Sequence, residues 1–213
     1  IFSMKKGFPF PIFKTKIEGL TKSFNLNNPS ERKDYFKAKA GEEIKKIKAY
    51  LAQNTFVAFL LGKKNSGKGT YSKLFTEAVG AERVGHVSVG DIVRDVHKTF
   101  ETGKDKEELI SFLSKNYRGF HGLEEIENII LGRSTTTLIS SELIVALLKY
   151  EISKRPRQAI FIDGFPRAID QIDYSLFLKE LIGYREDPDF LIFISVPEMV
   201  IEERIKYRVI CPN

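Results

Sequence analysis

The sequence predicts an α/β fold built on a parallel sheet. After residue 55, short apolar runs of strand length alternate with longer helix-compatible segments, as in strands joined by helical crossovers. Each apolar run precedes a loop with polar or glycine residues. Open α/β sheets bind ligands at the carboxyl ends of their strands, which is where these loops would lie. Candidate strands are 55–61, 84–88, 158–162 and 190–196, and candidate helices are 68–79, 90–100, 140–154, 169–182 and 197–208.

The composition is that of a soluble globular protein. The 213 residues are 42% hydrophobic, enough for one sizeable core, and no apolar run is long enough to span a bilayer. The sequence has one cysteine, Cys211, and no secretory-type leader. We therefore expect a reducing cytoplasm and no membrane partner.

Residues 1–54 are predicted to be a basic N-terminal extension. They carry 12 Lys and Arg against 5 Asp and Glu, whereas the remainder carries 22 against 23. Residues 1–29, rich in phenylalanine, proline and lysine, predict an extended arm that lies against the domain or docks on another molecule. A helix with Ser30 as N-cap should follow, with an apolar face of Tyr35, Phe36, Ala40, Ile44, Ile47 and Leu51. The charge makes this extension the place to look for an acidic partner.

A glycine-rich loop follows the first candidate strand and leads into a helix. In this context the loop amides, the helix N-terminus and Lys68 are suited to hold a polyphosphate. The purpose of Lys63 and Lys64 is open, because lysines in turns are often simply solvated. The loop reads Gly62-Lys63-Lys64-Asn65-Ser66-Gly67-Lys68-Gly69-Thr70.

Three later stretches extend this pattern. One runs from His86 through Val89 and Gly90 to Arg94, and another reads Asp163-Gly164-Phe165-Pro166-Arg167 with Gln171 four residues on. The third places Arg204 and Arg208 one helical turn apart after Val196-Pro197-Glu198. The histidines His86, His97 and His121 have no metal or triad spacing and are interpreted as surface or packing residues.

Together these motifs, in this order and spacing, resemble the nucleoside monophosphate kinases, most closely adenylate kinase, over residues 55–213. The resemblance implies a P-loop NTPase-type parallel sheet with flanking helices, a helical acceptor-side insertion at about 95–140, and transfer of the γ-phosphoryl group of ATP to AMP or a related monophosphate with Mg²⁺. It assigns catalysis to Lys68, Arg94, Arg167 and Arg208, ATP binding to the loop and Arg204, and Mg²⁺ binding through water to Asp163. Acceptor binding would fall to Val89, Gly90, Arg94, Leu138, Ile139, Gly164, Arg167 and Gln171.

Several departures from the family pattern bear on specificity and completeness. Val89 stands where adenylate kinases carry threonine near the acceptor base, Tyr207 replaces a glycine, and the region between Arg94 and Leu138 is about twenty residues longer than in short family members. Cys211 resembles the first ligand of a structural zinc site, which would form only if the chain continues with further ligands. We expect the 213 residues to be a portion of a longer protein, without the lid and the C-terminal part.

A second hypothesis belongs to a different class. The chain would be a nucleotide-binding module whose basic extension anchors it to RNA, a ribonucleoprotein or another partner, with catalysis reduced or lost. A small-molecule kinase acting on a sugar or a shikimate-like acid is a weaker alternative, which the Asp163 to Arg167 stretch with Gln171 disfavours. The two main hypotheses are compatible, since an active kinase could carry a docking arm.

Overall fold

The computed structural model describes residues 18–132, 139–167 and 169–207. These residues divide into two compact units, one ending at residue 46 and the other beginning at residue 47. No helix among them is long and apolar enough to cross a bilayer. The predicted boundary of the basic extension at residue 54 remains a prediction.

The described part of the first unit contains most of a helix, α1 (Pro29–Tyr50). The helix was predicted, but the prediction of Ser30 as its N-cap was wrong. The N-cap is Asn28, whose Oδ1 accepts a hydrogen bond from the Ser30 backbone N–H at 2.9 Å. Pro29 explains the shift, because proline favours the first helical position and lacks an N–H that would need an acceptor. No residue of α1 is fully buried, and Ala40 interrupts the helix with φ −144° and ψ 30°. The predicted apolar face is therefore not a continuous packed stripe.

The second unit is an α/β domain with a four-stranded parallel sheet in the order β2-β3-β1-β4. Its strands are β1 (Val57–Leu61), β2 (Val84–Ser88), β3 (Ala159–Asp163) and β4 (Asp189–Phe193). The helices are α2 (Lys68–Val79), α3 (Val89–Thr102), α4 (Lys106–Asn116), α5 (Leu123–Ile130), α6 (Ser141–Ser153), α7 (Asp170–Leu181) and α8 (Glu198–Lys206). The predicted α/β class and parallel sheet are confirmed. The region of the predicted helical insertion, at about 95–140, contains α4 and α5.

Alternate residues of β1, β2 and β3 face two separate apolar clusters. One cluster joins inward residues such as Phe59, Val87 and Ile162 to buried side chains of α3 to α6. The other joins Ala58, Leu60 and Phe161 to Leu51 and to Val79 of α2. Because side chains of a strand alternate between its faces, this arrangement is what a sheet covered by helices on both sides requires.

The carboxyl ends of β1, β2 and β3 lie at the same edge of the sheet. Leu60 of β1 is in register with Asp163 of β3, and Ser88 of β2 is also in register with Asp163. The loops that follow these strands therefore begin side by side. These loops contain the glycine-rich segment and the Asp163 to Arg167 stretch, so the fold brings the predicted site residues to one place.

Candidate active site

The glycine-rich loop has a conformation that glycine makes possible. Gly62 has φ 141° and Gly67 has φ 101°, both in the region that L side chains rarely adopt. A Cβ atom on Gly62 would lie only 2.5 Å from the backbone oxygen of Ile194. Ser66, in the same loop, is completely buried, and its Oγ has no hydrogen-bond partner among the described residues. The loop is thus tightly confined against the end of the sheet.

Lys68, the first residue of α2, reaches back over this loop. Its Nζ donates hydrogen bonds to the backbone oxygens of Gly62 and Lys63, each at 3.1 Å. The same nitrogen lies 3.7 Å from the Asp163 carboxylate, and both side chains are largely buried. Amides in the first turn of a helix have no intrahelical acceptor, so α2 directs free N–H groups at the space beside Lys68.

Arg204 of α8 closes the loop from the other side. Its guanidinium Nη1 donates to the backbone oxygens of Asn65 at 3.1 Å and of Ser66 at 2.9 Å. The structure thus brings Arg204 to the predicted ATP-binding loop. The role of Arg204 in ATP binding stays a prediction.

The second strand ends in the first turn of α3. Ser88 is the N-cap, and its Oγ accepts from the Asp91 backbone N–H at 3.4 Å. Val89 and Gly90 lie in this turn, so the helix begins one residue earlier than predicted. Arg94 is exposed and forms an ion pair with Asp91 on the same helix.

The third strand leads into the loop that carries Arg167. Gly164 has φ 88°, and a Cβ atom there would lie 2.7 Å from the Arg167 guanidinium, so glycine leaves the space that this group uses. The Arg167 backbone N–H donates to Gln171 Oε1 at 2.7 Å, and Gln171 is buried. Gln171 therefore holds the loop, and its predicted contact with an acceptor base is untested.

These elements surround one open cavity of about 1390 Å³. In the described part of the chain, its lining includes six basic side chains but only one acidic side chain, Asp163. Of the predicted site residues, Gly62, Asn65, Gly67, Lys68, Gly69, Thr70, Gly90, Arg94, Asp163, Arg167 and Arg204 line this cavity. Such an excess of positive charge is suited to a ligand with several negative charges.

The remaining predicted site residues do not line the cavity or lie outside the description. Ser66, Val89, Gly164 and Gln171 support its walls from positions described above, and Ile139 packs partly buried against the main core. Leu138, Arg208 and Cys211 lie outside the described residues, as do the arm residues before 18. Among the described residues, no group of three or more His, Cys, Asp or Glu side chains could hold a metal ion.

Some cavity residues were not predicted. Lys73 and Tyr71 project from α2 into the lining, beyond the end of the loop motif at Thr70. Tyr71 could have been found from the sequence, because it stands three residues after Lys68 and so shares its helix face. The two loop lysines separate: Lys64 lines the cavity, whereas Lys63 forms an exposed ion pair with Glu198.

His86 on β2 is a packing residue, in agreement with its interpretation. Burial lowers its pKa below the usual 6.5, although the carboxylates of Asp163 and Asp91 act in the opposite direction. Its Nε2 atom is buried without a hydrogen-bond partner in the described structure. The other two histidines each lie beside a glutamate one helical turn further on, Glu101 and Glu125 respectively.

A phosphate loop at the end of a parallel sheet, with converging basic side chains, defines a nucleotide- or polyphosphate-binding protein of the P-loop class. Comparison with known proteins narrows this class. The chain is 31% identical over 157 residues to the adenylate kinase of Thermotoga petrophila, an alignment that covers 72% of this chain and 58% of that protein. It is 34% identical over 158 residues to the adenylate kinase of Thermococcus onnurineus, covering 72% and 56%.

A third relative has a different name. The chain is 27% identical over 157 residues to UMP-CMP kinase 2 of Oryza sativa subsp. japonica, covering 74% of this chain and 52% of that protein. No protein-family model matches the chain. The chain spans little more than half the length of these curated relatives. On these similarities and this fold, the chain belongs to the nucleoside monophosphate kinase family.

Proposed function

We propose that the protein transfers the γ-phosphoryl group of ATP to AMP or a related nucleoside monophosphate, with Mg²⁺. The observation that carries this proposal is the cavity whose lining combines Lys68 and five other basic side chains with the carboxylate of Asp163. Bringing two nucleotides together concentrates negative charge, and phosphoryl transfer depends on positioning and electrostatic stabilisation rather than on a protein nucleophile. The cavity is suited both to position the two nucleotides and to stabilise their negative charge.

The donor phosphates would bind at the glycine-rich loop. The amides of the first turn of α2 would donate to phosphate oxygens, and Lys68 would exchange its two carbonyl acceptors for them. Its charge would then lie where negative charge builds up between donor and acceptor. Arg208, outside the described residues, is proposed to contact the same phosphates.

The acceptor phosphate would bind on the opposite side of Lys68, between Arg94 and Arg167. Both arginines line the cavity, and a planar guanidinium can hold two phosphate oxygens at once. Arg94 would have to exchange its partner Asp91 for the phosphate. In the proposal, the acceptor base lies near Val89, Leu138 and Ile139 and is read by Gln171.

Asp163 is a fitting group for Mg²⁺. It is the one acidic side chain lining the described cavity, it is the last residue of β3, and Mg²⁺ prefers carboxylate and water oxygens. Asp163 would hold the ion through water, beside the ammonium of Lys68. When bound, Mg²⁺ would neutralise charge on the donor phosphates and help to align them.

The acceptor base is open within this proposal. The relatives named above include adenylate kinases and a UMP-CMP kinase. The test is ADP formation by the full-length protein from ATP and Mg²⁺ with AMP, CMP, UMP and GMP in parallel. We expect turnover with one preferred acceptor, and no turnover with any of the four would overturn the proposal.

A second role is suggested by the charge of the extension. Residues 1–54 have an excess of seven basic residues, whereas the remainder has one more acidic residue than basic. We propose that this extension docks the enzyme on an acidic assembly such as RNA or a ribonucleoprotein, a function compatible with catalysis. Filter binding of RNA to the full-length protein at two salt concentrations, with and without residues 1–54, tests this. Equal binding by the truncated protein would contradict it.

The proposal also includes a structural zinc site and a cytoplasmic location. A structural zinc site would use Cys211 as one of four ligands, and zinc measured in the purified full-length protein would test it. A cytoplasmic location is supported by the use of a single cysteine in the sequence.

A further inference from the structure

The cavity is not uniform along its length. Near Ser88, Gly90, Arg94 and Arg167 its lining has no aromatic residue, whereas near Arg204 it includes Tyr71 and Tyr207. These are the two aromatic side chains of the lining in the described part of the chain. One end of the cavity thus offers flat apolar surface in addition to positive charge.

Tyr71 lies directly over the glycine-rich loop. A Cβ atom on Gly67 would be 3.3 Å from the Tyr71 ring and also 3.3 Å from the Arg204 guanidinium. The ring and the guanidinium therefore flank the same loop residue. Besides allowing the positive φ, Gly67 leaves room for this pair, because a Cβ atom there would make a tight contact with both groups.

The Tyr71 ring is available to a ligand. It is 53% exposed, and among the described residues it has no aromatic partner and its hydroxyl has no hydrogen bond. Tyr207 is more exposed, at 77%, and follows α8 directly. Large exposed aromatic side chains beside a basic cavity are the arrangement by which proteins stack on nucleic-acid bases.

We propose that Tyr71 stacks on the base of the donor nucleotide and, with Arg204, makes donor binding tolerant of the base. The proposal rests on the proposed function, because it requires the triphosphate to occupy the adjoining loop. Every base has a π-face, so stacking contributes affinity without selecting among adenine, guanine and cytosine. Tyr207 would extend the same surface at the cavity mouth. The donors would therefore be nucleoside triphosphates as a class.

The experiment measures binding rather than turnover. Dissociation constants of ATP, GTP, CTP and inorganic tripolyphosphate are measured by calorimetry on the full-length protein and its variants. Tyr71→Ala should weaken all three nucleotides by about 5- to 150-fold, the range expected for one base stack, and change tripolyphosphate binding by less than about 2-fold. Tyr71→Phe, which keeps the ring, should bind like the wild type.

A matched control and a second variant keep the test decisive. Phe120→Ala removes a fully exposed ring outside the cavity and should have no effect. Tyr71→Gln keeps a good helix former without a ring and replaces the alanine variant if that variant does not fold.

Unchanged nucleotide binding by Tyr71→Ala would overturn the proposal, as would a loss confined to ATP. An equal loss of tripolyphosphate binding would also overturn it, since the loop itself would then be disturbed. If the wild type binds ATP no more tightly than tripolyphosphate, the stacking proposal is wrong, but phosphate binding by the loop is still supported. If it binds neither, the proposed function fails as well.

Discussion

The two halves of the cavity differ in how firmly their charged groups are held. On the loop side, Lys68 is largely buried and is fixed by two carbonyls and the nearby Asp163. On the acceptor side, Arg94 is exposed and its partner Asp91 lies on its own helix. Both Lys68 and Arg94 would exchange partners when a ligand arrives, but Lys68 starts from a largely buried, fixed position whereas Arg94 starts from an exposed one. Under the proposed function, the fold alone would therefore position the donor side, and the acceptor side would be completed when the acceptor binds.

The largest effect should follow removal of the Lys68 ammonium. Lys68→Met keeps the length of the side chain but takes away the charge aligned with the donor phosphates. We expect kcat for ADP formation to fall by about 1000-fold, the size of effect seen when a preorganised stabilising group is lost. Lys63→Met is the matched control, because Lys63 is exposed and paired with Glu198, and it should stay within about 3-fold. Similar losses in both variants would mean that loop charge in general matters, not the fixed position of Lys68.

A smaller effect, confined to one substrate, should follow removal of Arg94. In Arg94→Ala the acceptor phosphate loses one guanidinium, worth roughly 1.5–3 kcal/mol for a charge-assisted hydrogen bond. We expect the KM of the monophosphate to rise by about 10- to 100-fold and the KM of ATP to stay unchanged in steady-state assays. Arg185→Ala, an exposed arginine outside the cavity, serves as control. An equal rise in both KM values would contradict the division of the cavity into two halves.

The rigidity of the loop can be tested by stability alone. Gly62→Ala forces a side chain into positive φ and against the Ile194 oxygen, so we expect the free energy of unfolding to fall by about 1–3 kcal/mol. Gly69→Ala is the matched control, because a Cβ there meets nothing within 4 Å and the residue lies in the first turn of α2. It should be neutral or gain up to about 1 kcal/mol from helix propensity. Urea unfolding measures both, and equal stabilities would show that the loop adapts easily.

Much of this organisation could be predicted from the sequence. The apolar runs predicted β1 to β3 within two residues, because each run fills a strand whose two faces are both covered. β4 ends at Phe193 rather than at residue 196, since its partner strand β1 ends at Leu61, opposite Phe193. That limit lies in the pairing and not in the local sequence.

Other features depend on contacts that a motif does not contain. The interruption of α1 at Ala40 is signalled only by the following Gly41, and an isolated glycine does not by itself end a helical pattern. Lys63 and Lys64 are identical neighbours, and only the path of the loop sends one to Glu198 and the other to the cavity. Tyr71 was missed because the loop motif ends one residue before it. Its position follows from the helix that the loop begins.

The smallest expected effect is the pH dependence of the unfolding free energy that comes from His86 on β2. Burial holds the folded-state pKa of His86 below its usual value of 6.5. The neutral form is favoured by folding, so the stabilisation is complete above pH 6.5 and is lost as the pH falls through 6.5 towards the folded-state pKa. His86→Gln should therefore lose less unfolding free energy than the wild type between pH 7.5 and pH 5.5 in urea titrations. Identical losses would mean that other groups cause the pH dependence.

The central claim is that donor and acceptor occupy two halves of one cavity on either side of Lys68. It is tested most directly with a dinucleoside pentaphosphate, in which one polyphosphate chain joins adenosine to the nucleoside of the preferred acceptor, as an inhibitor of ADP formation by the full-length protein. We predict inhibition that is competitive with both ATP and the monophosphate, because one molecule would fill both halves. Each substrate is varied in turn while the other is held at a fixed concentration. Inhibition that is competitive with ATP but not with the monophosphate would contradict this claim.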